Sequence, residues 1–200
     1  MPSVLVPPER LDRWVHNFAE RHDGVDLRVE DGELRGDASD GSWFTAALPF
    51  GRDHDGAADV SALVAAAAPP DAWGVLLVRK GGFAVARMCG AEMVDHKIGQ
   101  RHVQGRTKAG GQSQQRFARR RDNQARMAYE AAAGHAARIL PRGPLVAGGD
   151  RPAVEEVLAD PRLSGLRVVE PWLPVPDPRR RVLDGAVRDA ASFVVEVINA

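Results

Sequence analysis

Cysteine and long hydrophobic runs are scarce in this 200-residue chain. The single cysteine, Cys89, excludes an internal disulfide and a cysteine-rich zinc site, and its type favours a small buried hydrophobe. The longest apolar run, Val60 to Ala68, is far shorter than the roughly 20 residues that a transmembrane helix needs. The first thirteen residues contain three prolines and several charges, unlike a signal peptide. We therefore expect a cytoplasmic protein without membrane contact.

Net charge is absent as well, because 27 Lys and Arg balance 27 Asp and Glu. The charges are nevertheless unevenly placed along the chain. From Lys97 to Arg126 there are nine basic residues and one acid, Asp122, so this segment has a net charge of +8 and the remainder −8. Acids that would form i,i+4 ion pairs are almost missing from it. The segment therefore favours a local phosphate-binding surface over an ordinary solvated helix face.

Hydrophobic periodicity predicts two parts. Residues 1–70 are expected to form a small α+β domain that ends at Pro69-Pro70, with an Asp31-Gly32 hairpin turn. Residues 71–200 are expected to form a second domain, a mixed sheet with packed helices. Its predicted elements are strands at Trp73–Arg79, Phe83–Met88, Glu92–Ile98, Leu145–Ala147 and Leu166–Val169, a Gly81-Gly82 turn, and helices at Arg151–Ala159 and Arg179–Ile198.

The +8 segment is expected to begin as a loop and continue as a helix. Residues 99–112 are polar and lack apolar periodicity, which predicts an exposed loop. A long helix is predicted from Ser113, which we expect to cap it, to about Leu140. One face of this helix is predicted to be apolar, and its small alanines permit close packing: Phe117, Ala125, Ala128, Ala132, Ala136 and Ile139.

Gly110, Gly111 and Gln112 lie at the end of this loop. Paired glycines allow a main chain to approach a substrate closely. The loop offers backbone N–H donors and carboxamides on a positively charged tip, without an adjacent nucleophile–base pair. This combination suits ester hydrolysis by a positioned water, in which one oxyanion donor typically contributes ~10²–10³ in rate.

The residues after the glycines make the motif more specific. Gly-Gly-Gln-Ser-x-x-Arg-Phe-x-Arg-x-Arg, residues 110–121, resembles the central peptidyl-hydrolase domain of eukaryotic and archaeal class I peptide-chain release factors. The resemblance covers about residues 73–200 and implies a ribonuclease-H-like mixed sheet and peptidyl-tRNA hydrolysis on the ribosome. Independently of the resemblance, the histidines have no metal-ligand spacing, and we expect no metal or other cofactor. Because acids are almost absent beside the loop, the basic residues there are expected to contact rRNA or tRNA phosphates: Arg106, Lys108, Arg116, Arg119 and Arg120.

A second resemblance, closer in architecture, is to the Vms-like release factors of ribosome quality control, which include shorter bacterial members. Their signature is looser, with a glycine followed three residues later by glutamine, and Gly111 and Gln114 fit it. Both signatures are satisfied, so Gln112 and Gln114 are both candidates. The position of Gln112 directly after two glycines favours it.

Four functions fit these features. Ribosome rescue by peptidyl-tRNA hydrolysis is favoured, because residues 1–70 contain no decoding motif that we recognise and no partner-binding domain follows residue 200. Endonucleolytic cleavage of peptidyl-tRNA near its 3′ CCA end is the alternative that the Vms-like resemblance adds. A non-catalytic ribosome-binding module and a generic RNA-binding protein both leave Gly110, Gly111 and Gln112 unexplained. Arg179-Arg180-Arg181 is a second candidate RNA contact, although the start of a solvated helix is the simpler interpretation.

Overall fold

A computed structural model of the chain describes residues 3–100 and 112–200, and for residues 112–125 it describes the backbone only. The chain forms two compact units. The first comprises Met1–Pro70, Val169–Pro171 and Val187–Ala200, and the second comprises Asp71–Val168 and Trp172–Ala186. Most of the second unit is thus inserted between early and late segments of the first. The division into domains at residue 70 stays a prediction.

The described residues contain two five-stranded sheets and five α-helices, so the expected mixed α and β content is confirmed. In chain order the elements are β1 Ser3–Val6, α1 Pro8–Arg21, β2 Asp26–Glu30, β3 Glu33–Asp37, β4 Trp43–Ala47, α2 Val60–Ala66, β5 Trp73–Arg79, β6 Gly82–Cys89, β7 Glu92–Gln100, α3 Gln112–Ile139, β8 Gly143–Gly149, α4 Arg151–Leu158, β9 Leu166–Leu173, α5 Arg180–Ala190 and β10 Phe193–Ile198.

The first sheet is antiparallel, with the order β1-β10-β4-β3-β2. Its hairpin between β2 and β3 turns at Asp31 and Gly32, whose φ angles are 49° and 77°. Positive φ at both central residues is what a tight type I′ hairpin requires, so the predicted turn is confirmed. Apolar residues of α1, with Leu11 at its centre, pack with the buried residues of the sheet to form one core.

The last predicted helix, Arg179–Ile198, is wrong in its second half. Helix α5 ends at Ala190, and Phe193–Ile198 forms β10 between β1 and β4. Five of its six residues, Phe-Val-Val-Glu-Val-Ile, are β-branched or aromatic, which favours a strand. Their spacing also fits a helical stripe, so periodicity alone could not decide between the two. Phe193 and Val195 are fully buried in the core of the first unit.

The second sheet has the order β7-β6-β5-β8-β9. Strands β5, β6 and β7 form an antiparallel meander, and β8 pairs with β5 in parallel. Strand β5 is buried along six of its seven residues, as expected for a strand covered on both faces. Two sequence expectations differ here in detail. Arg79 pairs with Gly82, so the turn residues are Lys80 and Gly81, and Cys89 is exposed because it ends β6 beside the next turn.

Replacing Phe193 with alanine should destabilise the first unit by about 3–5 kcal/mol, because the ring is fully buried and its removal leaves a cavity. Urea unfolding measures this cost, and hydrogen exchange locates it in β1, β4 and β10. The control is Glu196→Ala, on the same strand but partly exposed, which should cost less than about 1 kcal/mol. Equal effects of the two substitutions would contradict the placement of β10.

Candidate functional site

The candidate site is framed by an edge strand and a long helix. Strand β7 lies at one edge of the second sheet and ends at Gln100, and α3 begins at Gln112. Gly110, Gly111, Arg106 and Lys108 lie outside the described residues. The backbone of α3 includes five further predicted site residues, whose side chains are also outside the described part: Gln112, Gln114, Arg116, Arg119 and Arg120.

Helix α3 begins one residue earlier than predicted, so Ser113 is its second residue rather than its cap. Gln112 and Gln114 therefore both lie in the first helical turn. The backbone N–H groups of a first turn have no partner within the helix, and the helix dipole places partial positive charge there. This end of α3 is chemically suited to an anion or to a carbonyl oxygen that gains negative charge.

The far end of α3 is anchored on the second sheet. Ala132, Ala133, Ala136 and Ile139 are buried in a core with residues of β5, β6, β8 and α4. The predicted apolar face is thus confirmed for Ala132, Ala136 and Ile139. Gln112 precedes Ala132 by twenty residues, which corresponds to about 30 Å along the helix axis.

The register of α3 separates its positions into two faces. At 3.6 residues per turn, positions 112, 116, 119 and 120 fall on the stripe that continues to Arg126, Glu130 and Arg138, all of which are exposed. Position 114 falls about 200° away from position 112, on the stripe that continues to Ala132 and Ala136, which are buried. The two candidate glutamines thus occupy opposite faces of the helix.

Close packing fixes the end of β7, from which the chain leaves the sheet. Gly99 pairs with Phe83 across the β6–β7 ladder, and a Cβ at Gly99 would clash with the Phe83 ring. That ring is 6% exposed and stacks on His135 of α3, with ring centroids 5.6 Å apart. Because residue 99 is glycine, the end of β7 can pack directly against the Phe83 ring, which in turn stacks on α3. This packing lies just before residues 101–111.

His135 is a neutral member of this packing. Partial burial lowers its pKa, and the positive charges of Arg138 and Lys97 lower it further. Arg138 lies 3.0 Å from the ring and donates from Nη2 to His135 Nδ1. Protonation of His135 would add a third positive charge beside these two cations, which is why its neutral form is favoured.

Helix α5 contacts β7 on the other face of the sheet. Lys97 pairs with Val85, whose side chain packs in the core shared with α3, whereas His96 pairs with the adjacent residue of β6 and so lies on the opposite face. Arg180 donates from Nη1 to His96 Nε2 at 3.1 Å and from Nε to Asp184 at 2.8 Å. The first turn of α5 is thus held against the strand that leads to residue 101.

This contact could not be inferred from sequence, because it joins residues 84 positions apart. Arg180 had a sequence signal as part of an arginine run, whereas His96, which precedes the predicted loop, is interpreted from sequence as an ordinary surface histidine. Among the described residues there is no group of three or more His, Cys, Asp or Glu side chains that could hold a metal ion. Within the same part of the chain, no helix is long and apolar enough to span a membrane.

Among known protein families, residues 71–196 match the family model described as Actinobacteria/chloroflexi VLRF1 release factor. The match covers more than half of the chain, from β5 to β10. No curated protein matches the sequence.

Gly99→Ala should destabilise the second unit by about 1–3 kcal/mol, because the new methyl group must displace the Phe83 ring from its stack on His135. The matched control is Gly134→Ala within α3, where nothing lies within 4 Å of the added Cβ. That change should stabilise by about 0.5–1 kcal/mol, since alanine favours a helix interior. Urea unfolding of both variants tests the pair, and an unchanged midpoint for Gly99→Ala would show that the strand end is loosely packed.

Proposed function

Because the chain belongs to the Actinobacteria/chloroflexi VLRF1 release factor family, we propose that it is a ribosome-rescue factor that hydrolyses the ester of peptidyl-tRNA. The observation that carries this proposal is the position of Gln112. It follows Gly110-Gly111 directly and stands at the first position of a 28-residue helix. Action on stalled ribosomal complexes also implies a cytoplasmic location.

The proposed reaction needs no protein nucleophile. A water molecule adds to the ester carbonyl carbon, and negative charge develops on the carbonyl oxygen. Collapse of the tetrahedral intermediate breaks the bond to the ribose oxygen, which takes up the proton that the attacking water loses and leaves as the tRNA hydroxyl. Donors aimed at either oxygen lower the barrier, and the amide groups at the start of α3 and the Gln112 carboxamide are suitable donors.

The helix register supports Gln112 over Gln114 as the essential glutamine. By helical register, position 112 lies on the same stripe of α3 as positions 116, 119 and 120, and this stripe continues to the exposed Arg126, Glu130 and Arg138. A glutamine on that stripe shares its face with the cations proposed to bind phosphate. Position 114 lies on the stripe that becomes the packed face farther along the helix.

The charge distribution supports RNA as a partner of the second unit and not of the first. The first unit contains 7 Lys and Arg against 16 Asp and Glu, a net charge of −9, and the remaining residues contain 20 against 11, a net charge of +9. Most of that excess comes from the +8 segment of residues 97–126. Arg106, Lys108, Arg116, Arg119 and Arg120 are the residues proposed to contact rRNA or tRNA phosphates.

The order of the second sheet supports the ribonuclease-H-like arrangement that the release-factor resemblance implies. A meander of three antiparallel strands is extended on one side by a parallel strand, and α3 and α4 pack in the core beside it. In this arrangement, residues 101–111 connect the edge strand of the sheet to α3.

Gln112→Ala should lower peptide release by at least ~10²-fold, because it removes one positioned donor. Gln114→Ala, two residues away, is the matched control and should retain most activity. Single-turnover release from stalled complexes measures both, and circular dichroism checks that each variant is folded. The reverse ranking would assign the role to Gln114. Sequencing the product tRNA distinguishes the reactions, since hydrolysis leaves the 3′ CCA end intact and endonucleolytic cleavage shortens it.

Release should not depend on the codon in the ribosomal A site. The first unit is strongly acidic, and this opposes close contact with mRNA or with the rRNA around a codon. Release rates from complexes with a stop codon, a sense codon or an empty A site should therefore agree within about twofold. A marked preference for stop codons would identify a termination factor and contradict the rescue role.

A further inference from the structure

A group of exposed cations lies at the end of the second sheet from which the chain leaves β7. Gln100 pairs with Gly82, and Gly82 pairs with Arg79 on the next strand. The β5–β6 turn, with Arg79 and Lys80, therefore lies beside the last residue of β7. Both side chains are exposed.

The segment leading into α5 reaches the same place. A Cβ at Gly81 would lie 3.0 Å from the Asp177 carboxylate, so residue 177 adjoins the β5–β6 turn. Three residues later, Arg180 is held by His96 and Asp184. Arg179 and Arg181, on either side of it, are exposed. We call Arg79, Lys80, Arg179 and Arg181 the loop-root cations.

The loop-root cations have no ion-pair partner among the described residues, in contrast to three paired arginines elsewhere on the surface. Arg28 and Arg35 in the first unit are paired with Asp37, and Arg162 in the second unit is paired with Asp160. Asp177 lies beside the turn but forms no ion pair with any described residue. Unpaired, exposed Lys and Arg side chains are available to replace counterions on a phosphate backbone.

We propose that the loop-root cations contact the RNA backbone of the large ribosomal subunit. The inference rests on the proposed function, which brings residues 101–111 to the peptidyl-tRNA ester. Gln112 would reach the tRNA end, whereas the second sheet packs against α3 from Ala132 onward, about 30 Å farther along the helix. The loop-root cations, at the end of that sheet, would therefore face the RNA that surrounds the ester rather than the ester itself.

The test measures binding of the full chain to isolated large ribosomal subunits at several salt concentrations. Arg179→Ala/Arg181→Ala and Arg79→Ala/Lys80→Ala each remove two cations. Each double variant should bind at least about tenfold more weakly in low salt, and the slope of log affinity against log salt should fall by about two. The control is Arg142→Ala/Arg167→Ala, the same change of charge at two exposed arginines away from the loop root.

Three results would overturn the inference: unchanged binding in both loop-root variants, an equal loss in the control, or a loss seen with deacylated tRNA but not with large subunits. The last of these would assign the cations to tRNA. Failure of the proposed function gives a different pattern. Wild-type protein would then release no peptide, while its binding to large subunits still depended on the loop-root cations.

Discussion

The packing of small side chains under α3 is the constraint on which the candidate site depends. Alanines at residues 132, 133 and 136 let the helix backbone approach the second sheet closely, and Ile139 and Leu145 extend the contact. A helix is stiff over several turns, so an anchor at one end sets the direction of the other. The position of Gln112 is therefore determined by residues twenty or more positions away, none of which is a predicted site residue.

Much of the second unit was predictable, because β5, β6 and β8 are short, largely apolar runs near glycine or proline. The first sheet was less so. Strand β1 has only four residues and follows the start of the chain without a pattern, and β10 has a spacing that suits a helix as well as a strand. The pairing of β10 with β4 decides in favour of a strand, and it joins residues 147 to 155 positions apart, a separation that no local pattern contains. The motif residues were identified from composition and spacing, whereas the Arg180–His96 contact required the fold.

The zero net charge of the chain conceals two opposite charges of equal size. The −9 of the first unit and the +9 of the remainder cancel in any measurement that sees only the total, including the isoelectric point near 7.0. At physiological ionic strength such fields decay over about 8 Å, so a nearby phosphate surface interacts with one unit and not with the sum. Overall neutrality is thus a poor guide to whether a chain binds nucleic acid, and charge counted by structural unit is a better one.

The place of β10 between β1 and β4 has a consequence for the biosynthesis of this protein. Strands β1 to β4 leave the ribosome early, yet the strand that joins β1 to β4 is made only after the whole second unit. Until then both neighbours expose unpaired edges and an incomplete core, and pairing across so long a separation is slow. If translation halts before residue 193, the nascent chain contains all strands of the second sheet but lacks β10 of the first sheet. Such a chain is a natural target for proteolysis and quality control.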